Sequence, residues 1–173
     1  SIPGDDVKRV MAGIDIDSAE ILAASLKGYD CILRHHPRGF KMATVGNMEV
    51  RDHMAMLLRS GVPANIAQKV AAPRGQRMNR SMHALNLNAQ VQFADFLGIS
   101  YVSIHTPADL ILEHDLQDRM DRLTEQKENV TLKDIVENIR EIPEFVKTPV
   151  GPEIWVGGED SYAGKILVTM AGG

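Results

Sequence analysis

Residues 7–40 read VKRVMAGIDIDSAEILAASLKGYDCILRHHPRGF, and this stretch decides the fold. Residues 7–16 are a short apolar run rich in β-formers, which predicts a buried strand. Asp17 or Ser18 stands where a helix N-cap belongs, Glu20 follows in the first turn and Gly28 is the stop. Residues 19–27 are therefore expected to be helical. Residues 29–34 (YDCILR) read as a second strand, ending in His35-His36-Pro37. Strand, short helix and strand make a βαβ unit, and that connection implies a parallel sheet. The expected fold class is α/β, a mainly parallel sheet flanked by helices.

Outward from this unit, residues 48–60 show Val50, Met54, Leu57 and Leu58 at helical spacing, with Gly61 as stop. Residues 63–97 read as two helices broken at Pro73-Arg74-Gly75. Residues 99–104 (ISYVSI) are a third strand, ending in His105-Thr106-Pro107. An acidic helix is expected from Pro107 to about Gln126. Thr131-Leu132-Lys133-Asp134 resembles a capping box that opens another. Residues 154–157 and 166–170 are the last strand candidates. The whole, 1–173, reads as a single α/β domain in which 62–98 is a helical insertion. The sequence starts without Met beside one strand-like run and stops at Ala171-Gly172-Gly173 beside another, so it is expected to be part of a longer, two-lobed chain.

Composition narrows the functional classes. Apolar residues make up 44% and charged residues 24%, which fits a packed globular core and excludes a disordered chain or a coiled-coil rod. The net charge of −4 gives no global basic excess for nucleic acid. The single cysteine, Cys31, makes neither an internal disulfide nor a thiolate zinc site and reads as inert core. No apolar run reaches the ~18 residues of a membrane span, and the first residues are no signal peptide. The expectation is a cytoplasmic protein with no membrane or nucleic-acid partner. Charge is nevertheless segregated: residues 34–80 hold nine Lys/Arg against two acidic residues, whereas 109–147 hold eleven acidic residues against six basic ones. Solvated helix faces of opposite sign account for this; so does a basic rim drawing an anionic small molecule to the strand ends.

Both His-containing strand ends fall at the carboxyl edge of a parallel sheet, where open α/β sheets place their ligands. Asp109 follows His105 by four residues, at the start of a helix. Imidazoles and a carboxylate are the donors that zinc, manganese or iron take. Adjacent strand residues point to opposite faces, so His35 and His36 share a cleft only where the strand ends and the backbone turns. Two metals, one per histidine with Asp109 bridging, suit such a divergent pair. The plainer alternatives are a helix cap for Asp109, on the Thr-x-x-Asp pattern, and a backbone-bonded structural role for His105. His53, His83 and His114 read as surface residues. Residues 158–165 (GEDSYAGK) have the wrong glycine spacing for a phosphate loop.

The stretch 7–40 resembles the N-terminal metal-binding motif of the NGG-one-interacting factor three (Nif-three) family, whose members are often labelled GTP cyclohydrolase one, type two homologues. His105-Thr106-Pro107-Ala108-Asp109, after an apolar strand, is similar to that family's second motif, His-Thr-x-x-Asp. The resemblance implies a dinuclear divalent-metal site with His35, His36 and Asp109 as ligands and His105 beside it, either as ligand or just behind. It implies a two-lobed α/β fold and a homo-oligomer, commonly a toroidal hexamer. The family's closing His and Glu, four residues apart, do not occur before Gly173. Two functional classes follow. One is a metal-dependent hydrolase of the cyclohydrolase or phosphoesterase kind, with His105 as acid–base residue and Arg34, Arg38 or Lys41 steering a phosphate. The other is an oligomeric scaffold or regulatory binding protein, with residues 62–98 mediating assembly.

Overall fold

The structure, a computed structural model, describes residues 2–170. Three short parallel strands lie side by side in chain order: β1 (Val10–Gly13), β2 (Cys31–Arg34) and β3 (Ser100–Ser103). Val10 pairs with Cys31 and Cys31 with Ser100, so all three strands start level and end level at Gly13, Arg34 and Ser103. Helix α1 (Ser18–Leu26) makes the first crossover. Asp17, extended, precedes it, and its backbone N–H donates to the Glu20 carboxylate at 2.9 Å. The second crossover is longer. A 3-10 turn (Phe40–Thr44) leads to α2 (Val45–Arg59), α3 (Ala64–His83) and α4 (Ala89–Phe96) before the chain enters β3.

The two joints where a helix feeds a strand are built alike. Gly28 after α1 and Gly98 after α4 both sit at positive φ, 70° and 66°, where a side chain is disfavoured. At each joint the glycine N–H bonds three residues back (Ser25, Asp95) and the next N–H bonds five back (Tyr29 to Ala24, Ile99 to Ala94). This pattern satisfies the last helical carbonyls and turns the chain directly into β2 or β3. Ile21 and Ala24 of α1 and Ala94 of α4 then meet Ile16, Ile32, Ile99 and Tyr101 in one core, with Met11, Tyr29, Val91 and Phe93 packed against it. Ile2 adds an antiparallel bridge to Tyr101.

The expected break at Pro73 does not occur. Helix α3 runs through Pro73, and the chain turns instead at residues 84–88. A proline inside a helix costs about 3 kcal/mol, and here the contact with α2 offsets it. A Cβ on Gly46 would lie 2.1 Å from the Gly75 carbonyl oxygen, and one on Gly75 would lie 2.5 Å from that of Gly46, so the two backbones touch. The Asn79 side chain reinforces the crossing by accepting from the Gly46 N–H at 2.8 Å.

The chain divides into two compact units between Ala108 and Asp109, within the first turn of α5 (Thr106–Gln126). The second unit contains the rest of α5, α6 (Leu132–Arg140) and the single turn α7 (Pro143–Val146) around buried Met120 and Val130. The capping box expected at Thr131 is present. Its hydroxyl accepts from the Asp134 N–H, and its own N–H donates to the Asp134 carboxylate at 2.8 Å. Residues 154–157 and 166–170 are not strands. Among the described residues this unit has no ladder, only one bridge between Thr131 and Tyr162. Residues 166–168 run beside α5 instead, with Gln117 accepting from the Val168 N–H and donating to the Ile166 carbonyl. β-Rich composition makes a strand only where a partner strand is on offer. Residues 171–173, expected to follow the last strand, lie outside the described residues. Among the described residues no helix is long and apolar enough to cross a membrane.

Candidate metal centre

The site assembles just past the strand ends. Gly13, Arg34 and Ser103 are level, and Asp15, His36 and His105 each follow two residues later, in the bends and loop beyond the carboxyl edge. Backbone bonds hold these segments together: the His35 and His36 N–H groups donate to the Gly13 and Ile14 carbonyls, and that of Ile104 to Arg34. Residues 35 and 36 form a bend, which ends the strict alternation of faces. The adjacent rings accordingly lie on a common side, with centroids 5.1 Å apart. His105 stacks on His35 at 4.4 Å and lies 5.8 Å from His36. Each of the three imidazoles offers one ring nitrogen, and the three atoms all lie within 4.8 Å of one another.

Partners of the Nδ1 atoms define how these rings are presented. His35 Nδ1 faces the Ile104 carbonyl at 3.2 Å; a carbonyl only accepts, so Nδ1 carries the proton and Nε2 the lone pair. His36 Nδ1 is 3.0 Å from both oxygens of Asp15. The hydrogen bond from His36, with the charge of Arg34 behind it, holds the Asp15 carboxyl below its ordinary range, so it too only accepts. In the neutral ring both His35 and His36 therefore present Nε2 as the electron-pair donor.

Arg34, the last residue of β2, is fully buried. Its guanidinium donates to Asp15 at 2.9 Å, to Asp17 at 3.2 Å, and to the carbonyls of Ile16 and His36. This corrects its expected role, because a buried guanidinium held by two carboxylates is not a phosphate-steering group. Gln90 of α4 adds a longer bond to Asp17, 3.3 Å. The network joins four segments at the sheet edge: the loop after β1, the end of β2, the start of α1 and, through Gln90, α4.

Asp109 lies in the first turn of α5, half-buried, at the start of the second unit. The clustered donors of the first unit are the three histidines. His53 departs from expectation: it is mostly covered and faces Glu49 at 3.6 Å along α2. His83 and His114 are exposed, and Cys31 is buried with its thiol pushed up by that burial. Asp15 is the site residue that motif reading passed over. Its signal was the spacing: it stands two residues past β1, as His36 stands two past β2.

No protein-family model matches the sequence, and no curated protein does either. Among solved structures, a NIF3 superfamily protein from Sphaerobacter thermophilus matches with a TM-score of 0.88 and 27% sequence identity. The match covers 95% of this chain, most of residues 62–98 included, and 60% of the other, so this chain spans about 60% of that protein's length. Agreement of the backbone on this scale, with His-His-Pro and His-Thr-x-x-Asp ending adjacent parallel strands, makes the chain a member of the NIF3 superfamily.

Proposed function

We propose that this chain binds a divalent metal ion through His35, His36 and His105, and that the centre serves hydrolysis of an anionic substrate. The convergence of three imidazole nitrogens within 4.8 Å carries the reading. Donors of a tetrahedral site, each about 2.0–2.1 Å from the ion, stand ~3.3 Å apart, a separation that this span accommodates. The chemistry of the donor set agrees: Nδ1–H of His35 and of His36 is held by an oxygen, the usual arrangement behind a metal-ligating histidine. Imidazole donors suit zinc and iron, and a carboxylate extends the range to manganese.

Asp109 is the carboxylate donor in this reading, the residue suited to bridging a second ion. His105 is a ligand rather than the acid–base residue. The His36 side chain is 48% exposed, which favours a centre open to solvent and substrate over a closed structural one. Such an ion, when bound, supplies Lewis-acid polarisation of the scissile group and activation of water. Residues of the chain do the rest. His35 and His36 keep their rings oriented through their Nδ1 partners, and exposed Lys41, on the basic segment 34–80, attracts negative charge.

The test is metal counting on protein stripped with chelator and reloaded with zinc or manganese. Wild type is expected to retain one ion per chain, or two if Asp109 bridges. The variant carrying His35→Ala, His36→Ala and His105→Ala is expected to retain none. Equal retention by the two proteins overturns the reading. Turnover is assayed separately with bis(p-nitrophenyl) phosphate; metal retention without turnover favours the scaffold class.

A further inference from the structure

The contacts of His36 point past the ligands to the group that aims them. We infer that Asp15 is a positioning residue: it fixes His36 in the Nδ1–H form with Nε2 presented as donor, and buried Arg34 makes that choice one-way. The inference rests on the metal-centre reading for its purpose, but on geometry already in place for its substance.

Both Asp15 oxygens lie 3.0 Å from His36 Nδ1, and Oδ1 also accepts from Arg34 at 2.9 Å. A guanidinium has donors only. Whatever side chain occupies position 15 must turn an acceptor toward Arg34. A carboxylate has a second acceptor left for the His36 N–H. An amide keeps its one acceptor oxygen on Arg34 and puts an NH2 where the second carboxylate oxygen stood, 3.0 Å from Nδ1, where it opposes an N–H and matches a lone pair, so the ring is driven to carry its proton on Nε2. Arg34 itself is held against swinging away, because it is buried and its Nε and Nη1 donors are taken by Asp17 and by the carbonyls of Ile16 and His36. Register explains why this residue does the work. Asp15 and His36 each stand two residues past the level pair Gly13 and Arg34, at the ends of adjacent strands, which brings the two side chains together. Arg34 comes from the strand between β1 and β3, and its head reaches back toward the β1 side.

Asp15→Asn is thus nearly the same size as the native residue, yet is expected to invert the His36 tautomer. The experiment uses metal-free protein under conditions where the rings are neutral. Two-bond 15N–1H correlation spectra distinguish a protonated from an unprotonated ring nitrogen. Wild type should show His36 with Nδ1 protonated, and Asp15→Asn should show Nε2 protonated. Asp17→Asn, which also removes an Arg34 partner but does not touch His36, should keep the wild-type pattern. In a second arm, zinc affinity is measured by competition with a chromophoric chelator. Asp15→Asn is expected to lose about 10–100-fold, while Asp17→Asn stays within about threefold.

Wild-type His36 protonated on Nε2, or an Asp15→Asn protein with the wild-type tautomer and affinity, overturns the inference. If wild type takes up no zinc while the tautomer still inverts in Asp15→Asn, the metal reading fails and the positioning of His36 stands.

Discussion

The two edges of the three-stranded sheet are made by different physics. At the edge where β2 and β3 begin, backbone geometry closes the structure. Gly28 and Gly98 adopt left-handed φ and helical carbonyls are satisfied by main-chain N–H groups, with the Arg9 guanidinium on the Lys27 and Gly28 carbonyls and the Asp30 carboxylate on the Lys8 and Arg9 N–H groups added at the first joint. At the edge where the strands end, side chains close it. Asp15, Arg34, His35, His36 and His105 stand together, with one buried cation among exposed carboxylates and half-buried to exposed imidazoles. A backbone-built edge tolerates any residue that accepts its dihedral angles. A side-chain-built edge does not, because each group there satisfies another.

Arg34→Met tests this contrast with the largest expected loss of stability. The replacement is apolar and of similar length, but it leaves the Ile16 and His36 carbonyls and two carboxylates without their cation. Unsatisfied buried groups cost about 1–3 kcal/mol each, so chemical denaturation should show a loss of ~2–4 kcal/mol, with weaker metal retention alongside. A variant that loses metal but keeps its stability would show that the clamp serves the ligands alone.

Gly98→Ala probes the opposite edge. A Cβ there meets nothing within 4 Å, so the cost is confined to the backbone angle. Left-handed φ in a residue with a side chain costs about 1–2 kcal/mol. The unfolding free energy from chemical denaturation should fall by that amount while metal content stays unchanged. Loss of metal with Gly98→Ala would mean that the two edges are mechanically coupled.

The smallest effect is expected at a helix end that belongs to neither edge. The hydrogen bonds from Lys127 and Thr131 hold the Asp134 carboxyl at about 2, below its ordinary value of 3.8. A depressed carboxyl stabilises the fold above its unfolded pKa, and that contribution disappears as pH falls through the folded one. Titration from pH 4 toward 2 should therefore remove the α6 cap, read as a loss of helical circular dichroism. Asp134→Asn should flatten this phase, and Thr131→Ala should cost about 1 kcal/mol at neutral pH. Metal content should respond to neither substitution.

Local pattern determined a great deal of this protein. Strand, capped helix, glycine stop and strand are properties of neighbouring residues, so β1, α1, β2 and the Thr131 box are legible in the chain alone. The histidines that end two of the strands were likewise legible as a group at one sheet edge. Three features were decided only by tertiary structure. Pro73 sits inside a continuous helix because Gly46 and Gly75 bring α2 and α3 into backbone contact, a gain no window around Pro73 contains. Residues 154–157 and 166–170 have strand composition but, among the described residues, no strand to pair with. Arg34 and Asp15, nineteen residues apart, became a buried clamp and a histidine positioner because register set their strands level. Capping and periodicity act within a few residues and are written locally. Pairing, close approach and charge burial depend on which distant segment arrives opposite, and that is settled by the fold.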